Sequence, residues 1–539
     1  MLNDLLLLGF TEQTLPESLA NCYPHASTHI ATFPNIKALV EYLLSSPNYS
    51  LVRNSTDHAQ IERADTSLIE KEIDYSVTIV INSNPAYYAQ QISDSSNTSL
   101  SSLSLKNLLS LLNYRFLHLN PIILSLNSSD ENEDDITHVF SELSIVENNL
   151  STRLARIKCW IGFNDRQFDQ LDTMINYLNL DFPVDSDMAL FTKLLSTDID
   201  YDKLLINLES HKDDEYYLNL INKWEFNAFH FNLDELLKMS HVILKSYSIN
   251  AQSHSQTLSS FLFFVRDNYR IGNPFHNFRH AIDVLQATNF FLNILTRDSS
   301  FKLSKSDSFA LLLASLGHDI GHPGITNAFL INTKSPLAAY FDNHSILENF
   351  HRLQFKKILI PFLDQSKDLF PVDGNTHLKY TLSVVDNAIL ATDMAKHDDY
   401  VKEIYNLESD FDNFKLLSCI LIKCADISNV CRPLNPSCKW GLSLGEEFKQ
   451  ISCLEAYFKS STPSRDLLQD DLIANNFGKP IKDMDLHEGI TLVDNLSNNQ
   501  LFFINRFAND FFTKVANTIP QLHFLADHLI ENAAFWESV

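Results

Sequence analysis

The sequence predicts a mainly α protein, with an all-helical domain over residues 186–539 preceded by a smaller α/β domain over residues 1–185. Three observations carry this. The chain has 539 residues, more than one hydrophobic core usually organises, so it should divide. Glycine is scarce, at 11 residues, while leucine, isoleucine and phenylalanine abound, which favours helices over turn-rich sandwiches and barrels. From about Asp187 onward, apolar residues recur at three- and four-residue steps almost without pause.

The first third reads differently. DYSVTIVIN (74–82) and LNPIILSLN (119–127) are rich in β-branched residues and bounded by polar breaks, as short buried strands are. Between them, residues 100–116 have helical leucine spacing, so strand, helix and strand suggest a small α/β module. The polar segments SDSSNTS (93–99) and SSDENEDD (128–135) interrupt it, and the acidic run reads as a solvated loop. No motif with chemistry and no internal repeat stands out in this region.

The helical part is explicit. Segments 234–249, 280–295, 308–319, 379–394 and 414–427 all carry helical apolar stripes. Ser306 and Asp307 sit where a cap would start the third of these, and Gly321, Pro323 and Gly324 sit where it must stop.

Composition narrows the function. Hydrophobic residues make up 45% and charged residues 20%, a globular balance that argues against a mostly disordered chain. The formal charge of -26 argues against nucleic acid as a partner, since no broad cationic surface meets its phosphates. A small phosphate ester remains open if metal ions supply local positive charge. Seven cysteines without a CxxC pair fit a reducing compartment better than disulfides or a thiolate zinc site. The N-terminus lacks a basic n-region, and no apolar stretch is long enough to span a bilayer. The expectation is a protein with no membrane insertion, located in the cytoplasm with access to the nucleus.

Metal-ligand residue types gather at the ends of apolar helices. PFHNFRHAID opens one helix with His276 and His280 a turn apart, which would put both imidazoles on one side. LGHDIGHPG closes another with His318 and Asp319, followed by His322, and KCADISN closes a third with Asp426. A single histidine on an apolar helix is most often an ordinary core residue. Five such residues at the mouths of separate helices need partners or a metal. Two imidazoles and two carboxylates suit zinc or another borderline divalent ion, with Asp319 the better bridge. A harder second ion such as Mg2+ needs only one or two protein oxygens. Two ions about 4 Å apart would hold a hydroxide between them, a nucleophile suited to phosphorus. If His280 is the ligand, His276 is free to protonate a departing alkoxide, and Glu447 is the favoured carboxylate to orient it.

HNFRHAID, LGHDIGHPGITNAFLINTKSPLA, SILENFH, ILATDMAKH, CADISNVCRPL and SNNQLFFIN follow one another as in the catalytic domain of class I cyclic-nucleotide phosphodiesterases, which the chain resembles over residues 223–511. The asparagine-rich character and the N-terminal third look most like the high-affinity cyclic-AMP phosphodiesterases of yeasts. The resemblance implies an HD-type helical hydrolase that turns 3′,5′-cyclic AMP into 5′-AMP and so lowers cyclic-AMP signalling. It implies His280, His318, Asp319 and Asp426 as ligands of two divalent ions, Zn2+ in the tight site and Mg2+ or Mn2+ in the second. His276 matches the general acid and Glu447 its supporting carboxylate. His322, Glu348, His351, Thr392 and Asp393 match residues that orient metal-bound waters. Gln500 matches the glutamine that hydrogen-bonds the purine, Leu444 and Phe503 the apolar clamp on its faces, and Asn429 another base-side contact. Phe275, Phe350 and Phe502 depart from the family's tyrosine, histidine and glycine; none is a matched metal ligand, so they bear on pocket shape.

Alternatives stay in view. Gln500 accommodates adenine or guanine, so a dual-specificity or cyclic-GMP enzyme is the neighbouring reading. Another HD-type nucleotide phosphohydrolase would share the metal ligands but lack the HN-x-x-HA histidine and the Q-x-x-F clamp. A nucleotide sensor that had lost its chemistry would have lost a ligand or His276. The division of labour is testable: His276→Ala should keep its metals while turnover falls by roughly two to four orders of magnitude. Loss of zinc from that variant would mean that His276 and His280 exchange roles.

Overall fold

The computed structural model describes residues 3–8, 28–44, 76–82, 122–126, 199–207, 212–248, 255–270, 273–298, 300–366, 375–407, 413–459, 490 and 495–539. Four strands, β1 (Asn3–Leu8), β2 (Thr28–Phe33), β3 (Ser76–Asn82) and β4 (Ile122–Leu126), form one sheet in the order β2-β1-β3-β4. All three pairings are parallel, which requires crossover connections, and the helix Ile36–Leu44 follows β2. Strands β3 and β4 are those expected from the sequence, each slightly shorter. Strands β1 and β2 were not anticipated. The run LLLL in β1 has no polar alternation, so its period does not separate strand from helix. The leucine-rich segment 100–116, the acidic run 128–135 and the expected domain boundary at 185/186 lie outside the described residues.

The helix Ile36–Leu44 buries Ile36, Leu39, Val40, Leu43 and Leu44, a stripe at helical spacing. These side chains belong to the same apolar cluster as the large helical region. The helix ends on a cation. The carbonyl of Leu44 accepts a 2.7 Å bond from Arg266, whose buried guanidinium also reaches Asp234 and Asp267. A positive group at a buried helix C-terminus satisfies carbonyls that have no partner within the helix.

The rest of the described chain is helical. Leu233–Tyr247, Phe278–Leu295, Lys305–Gly317, Asn375–Ala391 and Phe414–Asp426 are the five helices read from the sequence. Ser255–Asp267, Ile346–Gln365, Leu434–Lys459 and Leu496–Phe503 pack with them. The helix Phe278–Leu295 is buried on all sides over its first three turns, the signature of a central core helix. One start differs from expectation. The cap of Lys305–Gly317 is Ser304, not Ser306 or Asp307. The Ser304 hydroxyl accepts the Asp307 amide and donates to the Asp307 carboxylate at 2.6 Å, so Asp307 serves one turn inside the helix. Among the described residues, no helix is long and apolar enough to cross a membrane.

A buried ion pair locks the helices around the later-described site. Arg432 is fully buried, pairs with Asp283 at 3.0 Å, and donates to Gln286 at 2.7 Å and to the carbonyl of Trp224 at 3.2 Å. Its guanidinium lies 4.2 Å from the Trp224 ring. Removing one member strands the other charge inside the core. Asp283→Ala should therefore cost about 3–5 kcal/mol of stability, read as the change in denaturation free energy; a loss under about 1 kcal/mol would mean that the pair is dispensable.

Candidate active site

Three helix ends supply four metal-type donors. His280 lies in the first turn of Phe278–Leu295, His318 and Asp319 follow the end of Lys305–Gly317, and Asp426 is the last residue of Phe414–Asp426. One donor atom from each lies within 4.8 Å of all the others. The Nε2 atoms of His280 and His318 are 3.3 Å apart, and His318 Nε2 stands 3.1 Å from Asp319 and 3.3 Å from Asp426. His318 donates Nδ1–H to the Ser315 carbonyl at 2.8 Å, which turns Nε2 toward the carboxylates. Burial alone would depress the His318 pKa, yet Asp319 and Asp426 drive it well above the ordinary value. Burial would likewise raise Asp319, but His318 holds it well below the usual carboxylate range. Both shifts express a demand for positive charge at one point, which a divalent cation on these donors meets.

His276 stands beside this cluster, and its position differs from expectation. It precedes Asn277, the residue whose side chain caps the helix by accepting the His280 amide, so His276 is not on the helix. The cap lets the chain turn, and the His276 and His280 rings still come within 5.9 Å. Glu447 holds the histidine twice. Its Oε1 is 2.5 Å from His276 Nδ1, and its Oε2 accepts the backbone amides of Phe275 and His276, each at 3.1 Å. Burial would lower the His276 pKa, but the Glu447 charge and hydrogen bond, with Asp319 and Asp426 behind, lift it to about 9. The ring is thus oriented through Nδ1, kept protonated, and 25% exposed, which leaves Nε2 to hand a proton outward.

The other matched residues surround the donors. His351 donates Nδ1–H to the Ile320 carbonyl at 2.8 Å and turns Nε2 toward Asp319 at 3.8 Å; burial lowers its pKa to about 4, so the ring is neutral. His322 stacks on His276 with centroids 4.0 Å apart, and its Nδ1 accepts the Gly324 amide. Burial and the neighbouring Asp393 push Glu348 up to about 7, and Asn327 donates to it. Asp393 accepts from the Ser345 hydroxyl at 2.6 Å and the Ala395 amide at 2.8 Å, and Thr392 donates to the Ile389 carbonyl.

A second group of residues comes from the turn after Asp426 and from the helices Leu434–Lys459 and Leu496–Phe503. Asn429 is buried on the turn after Asp426. Gln500 is buried against Gly441, where an added Cβ would come 3.0 Å from the Gln500 amide carbon. Leu444, one turn beyond Gly441, and Phe503, one turn beyond Gln500, are half-buried. Of the departures, Phe275 packs 4.6 Å from His280, Phe350 fills the space beside Gly321, and Phe502 is 65% exposed. Only the first touches a donor. Gly321 adopts φ 75°, and an added Cβ would lie 2.9 Å from the Phe350 ring, so position and conformation both call for glycine.

Three contributors were missed in the sequence. Gly441 provides the floor for Gln500, Ser345 fixes Asp393, and Asn273 donates to the carbonyls of both His276 and His322 at 2.8 Å. The Asn-Pro pair at 273–274 signals a turn but not the two loops that it ties together.

Buried carboxylates and imidazoles at helix ends, beside a glutamate-held histidine, form a site that suits a divalent metal ion. The sequence profile of 3′5′-cyclic nucleotide phosphodiesterases matches residues 275–529. The 3′,5′-cyclic-nucleotide phosphodiesterase 2 of Saccharomyces cerevisiae is 33% identical over 338 residues, covering 60% of this chain and 61% of that protein. The high-affinity cGMP-specific 3′,5′-cyclic phosphodiesterase 9A of Homo sapiens is 32% identical, over 46% of this chain and 41% of that one. The chain thus spans less than two thirds of the length of these relatives. The crystal structure of yeast caPDE2 in complex with IBMX superposes with a TM-score of 0.71 at 25% identity, covering 100% of this chain and 99% of that one. Residues 275–529 are thus similar to the 3′5′-cyclic nucleotide phosphodiesterases.

The His276 geometry fixes a pH response. The protonated form is the acid, so kcat/KM should fall as pH rises through the His276 pKa. Glu447→Gln removes the largest influence that raises this pKa, and the alkaline limb should move toward the ordinary histidine range near 6.5. An unmoved limb in the Glu447→Gln profile would assign it to another group.

Proposed function

We propose that the protein hydrolyses 3′,5′-cyclic AMP to 5′-AMP and thereby lowers cyclic-AMP signalling. The single observation that supports this best is the His276–Glu447 pair set beside the four converged donors, because a cyclic phosphodiester needs both an electrophilic centre and an acid for its leaving oxygen. His280, His318, Asp319 and Asp426 would hold two divalent ions, Zn2+ in the tighter place and Mg2+ or Mn2+ in the second. When bound, these ions supply Lewis acidity toward the phosphate and acidify water.

The chain's own residues do the rest. His276, oriented through Nδ1, delivers its Nε2 proton to the ribose O3′ as the P–O bond breaks, while Glu447 stabilises the imidazolium before transfer. Glu348, His351, His322, Thr392 and Asp393 present hydrogen-bonding groups around the phosphate end and orient water there. Leu444 and Phe503 would sandwich the purine, with Gln500 and Asn429 bonding its edge. Asp393, His322 and Glu348 are themselves fixed by neighbours, so little reorganisation accompanies the reaction. Residues 1–185 would form an α/β domain of unassigned role, and residues 186–539 the catalytic domain.

One observation favours a broader base preference as the second reading. The Gln500 Oε1 is buried without a hydrogen-bond partner among the described residues, so its amide orientation is left to the ligand. Either order of donor and acceptor would then be presented, to adenine or to guanine. The test is a product assay with cyclic AMP and cyclic GMP side by side, with and without chelator. Metal-dependent release of 5′-AMP is the expected result. Turnover of neither nucleotide by metal-replete protein would overturn the assignment, and a preference for cyclic GMP would overturn the base choice alone.

A further inference from the structure

Among the described residues, the buried Arg266 and Arg432 of the helical region answer carboxylates, while the buried Arg279 donates to the carbonyls of Ala228 and Phe231. Arg266 pairs with Asp234 and Asp267, and Arg432 with Asp283. The Lys423 ammonium, also fully buried, bonds backbone instead, donating to the carbonyl of Ala391 at 3.1 Å and of Asp393 at 3.5 Å. It also lies 3.8 Å from Met394 Sδ and 5.8 Å from the Tyr400 ring. Burying an ammonium is costly, so a lysine kept there without a carboxylate partner needs a reason in what it holds.

What it holds is a helix end. Ala391 is the last residue of Asn375–Ala391, and that end stops inside the core, where its carbonyls lack partners within the helix. Lys423 supplies the donor and a charge of the sign that a C-terminus favours. Between the two carbonyls lies Thr392, and the second belongs to Asp393. The Asp393 carboxylate takes the Ser345 hydroxyl at 2.6 Å, and Ser345, at φ 43°, opens the helix that carries Glu348 and His351. On its own helix Lys423 stands three residues before Asp426, so one helical turn carries both a metal-type donor and the clamp on the facing wall.

We propose that Lys423 is a positioning residue: its ammonium clamps the turn 391–393, setting Thr392 and Asp393 at a fixed distance from the donors of Asp426 and Asp319 and thereby forming the place for the second divalent ion. This rests on the two-ion reading of the site. Burial lowers the Lys423 pKa, and the charges of Asp426, Asp393 and Glu348 oppose that shift. The role differs from plain packing, since an apolar side chain of equal length would fill the same volume and leave the turn untied.

The test uses the full chain, stripped with chelator and titrated with Mn2+ by calorimetry and electron paramagnetic resonance. Wild type should bind two ions. Lys423→Met should keep the tighter ion and weaken the second by about tenfold or more, with kcat lowered and KM for the cyclic nucleotide unchanged. Ser345→Ala, which cuts the next link, should weaken the same ion by a smaller factor and serves if Lys423→Met does not fold. Two ions bound by a folded Lys423→Met with wild-type affinity, or more tightly, would overturn the proposal even if melting temperature falls. If Lys423→Met does not fold, unchanged binding by Ser345→Ala overturns it. A wild-type chain that binds no Mn2+ overturns the two-ion reading and this proposal with it.

Discussion

Two carboxylates, Asp319 and Asp426, point into one buried space with two imidazoles, and this concentration of negative charge is the constraint around which the helical region is arranged. Carboxylates in a core are tolerated only where positive charge or donors meet them. The helices answer by ending there, because helix ends are where side chains of a rigid element can converge without burying a continuous polar face. Lys305–Gly317, Phe414–Asp426 and Phe278–Leu295 each contribute a terminus and then pack away into leucine and phenylalanine. Precision at the site is thus inherited from ordinary core packing.

The helix Leu434–Lys459 serves two ends of the same pocket. Gly441 faces the buried glutamine of the neighbouring helix, while Glu447, farther along, grips His276 and its backbone. A rigid rod fixes the separation of these groups at about 1.5 Å per residue. Any change that tilts this helix to suit a different base also moves the carboxylate that sets the charge on the acid. Under the proposed function, base recognition and proton delivery would be mechanically linked.

Much of this was legible in the sequence because it is local. The apolar stripes gave the helices, and HNFRHAID, LGHDIGHPG and KCADISN placed donors at their ends, where the structure brings four of them together. Glu447 was reached through the resemblance and through the need for an orienting carboxylate. Spacing did not place it, because it lies 171 residues from His276. Other features depend on long-range or backbone geometry that residue type does not encode. The off-helix position of His276 follows from the Asn277 cap, the Gln500 floor from the missing side chain at Gly441, and the Asp393 anchor from a left-handed serine. Strand β1 escaped because a short apolar run carries no period of its own.

The contact between Arg266 and the carbonyl of Leu44 bears on how the chain can be divided. The helix Ile36–Leu44 shares the apolar cluster of the catalytic helices, and the buried guanidinium of Arg266 completes its end. A helical fragment without this helix would uncover the apolar surface on which Ile36, Leu39, Val40, Leu43 and Leu44 pack and leave Arg266 short of one acceptor. Purifying the helical region alone therefore means repairing a wound rather than removing an ornament.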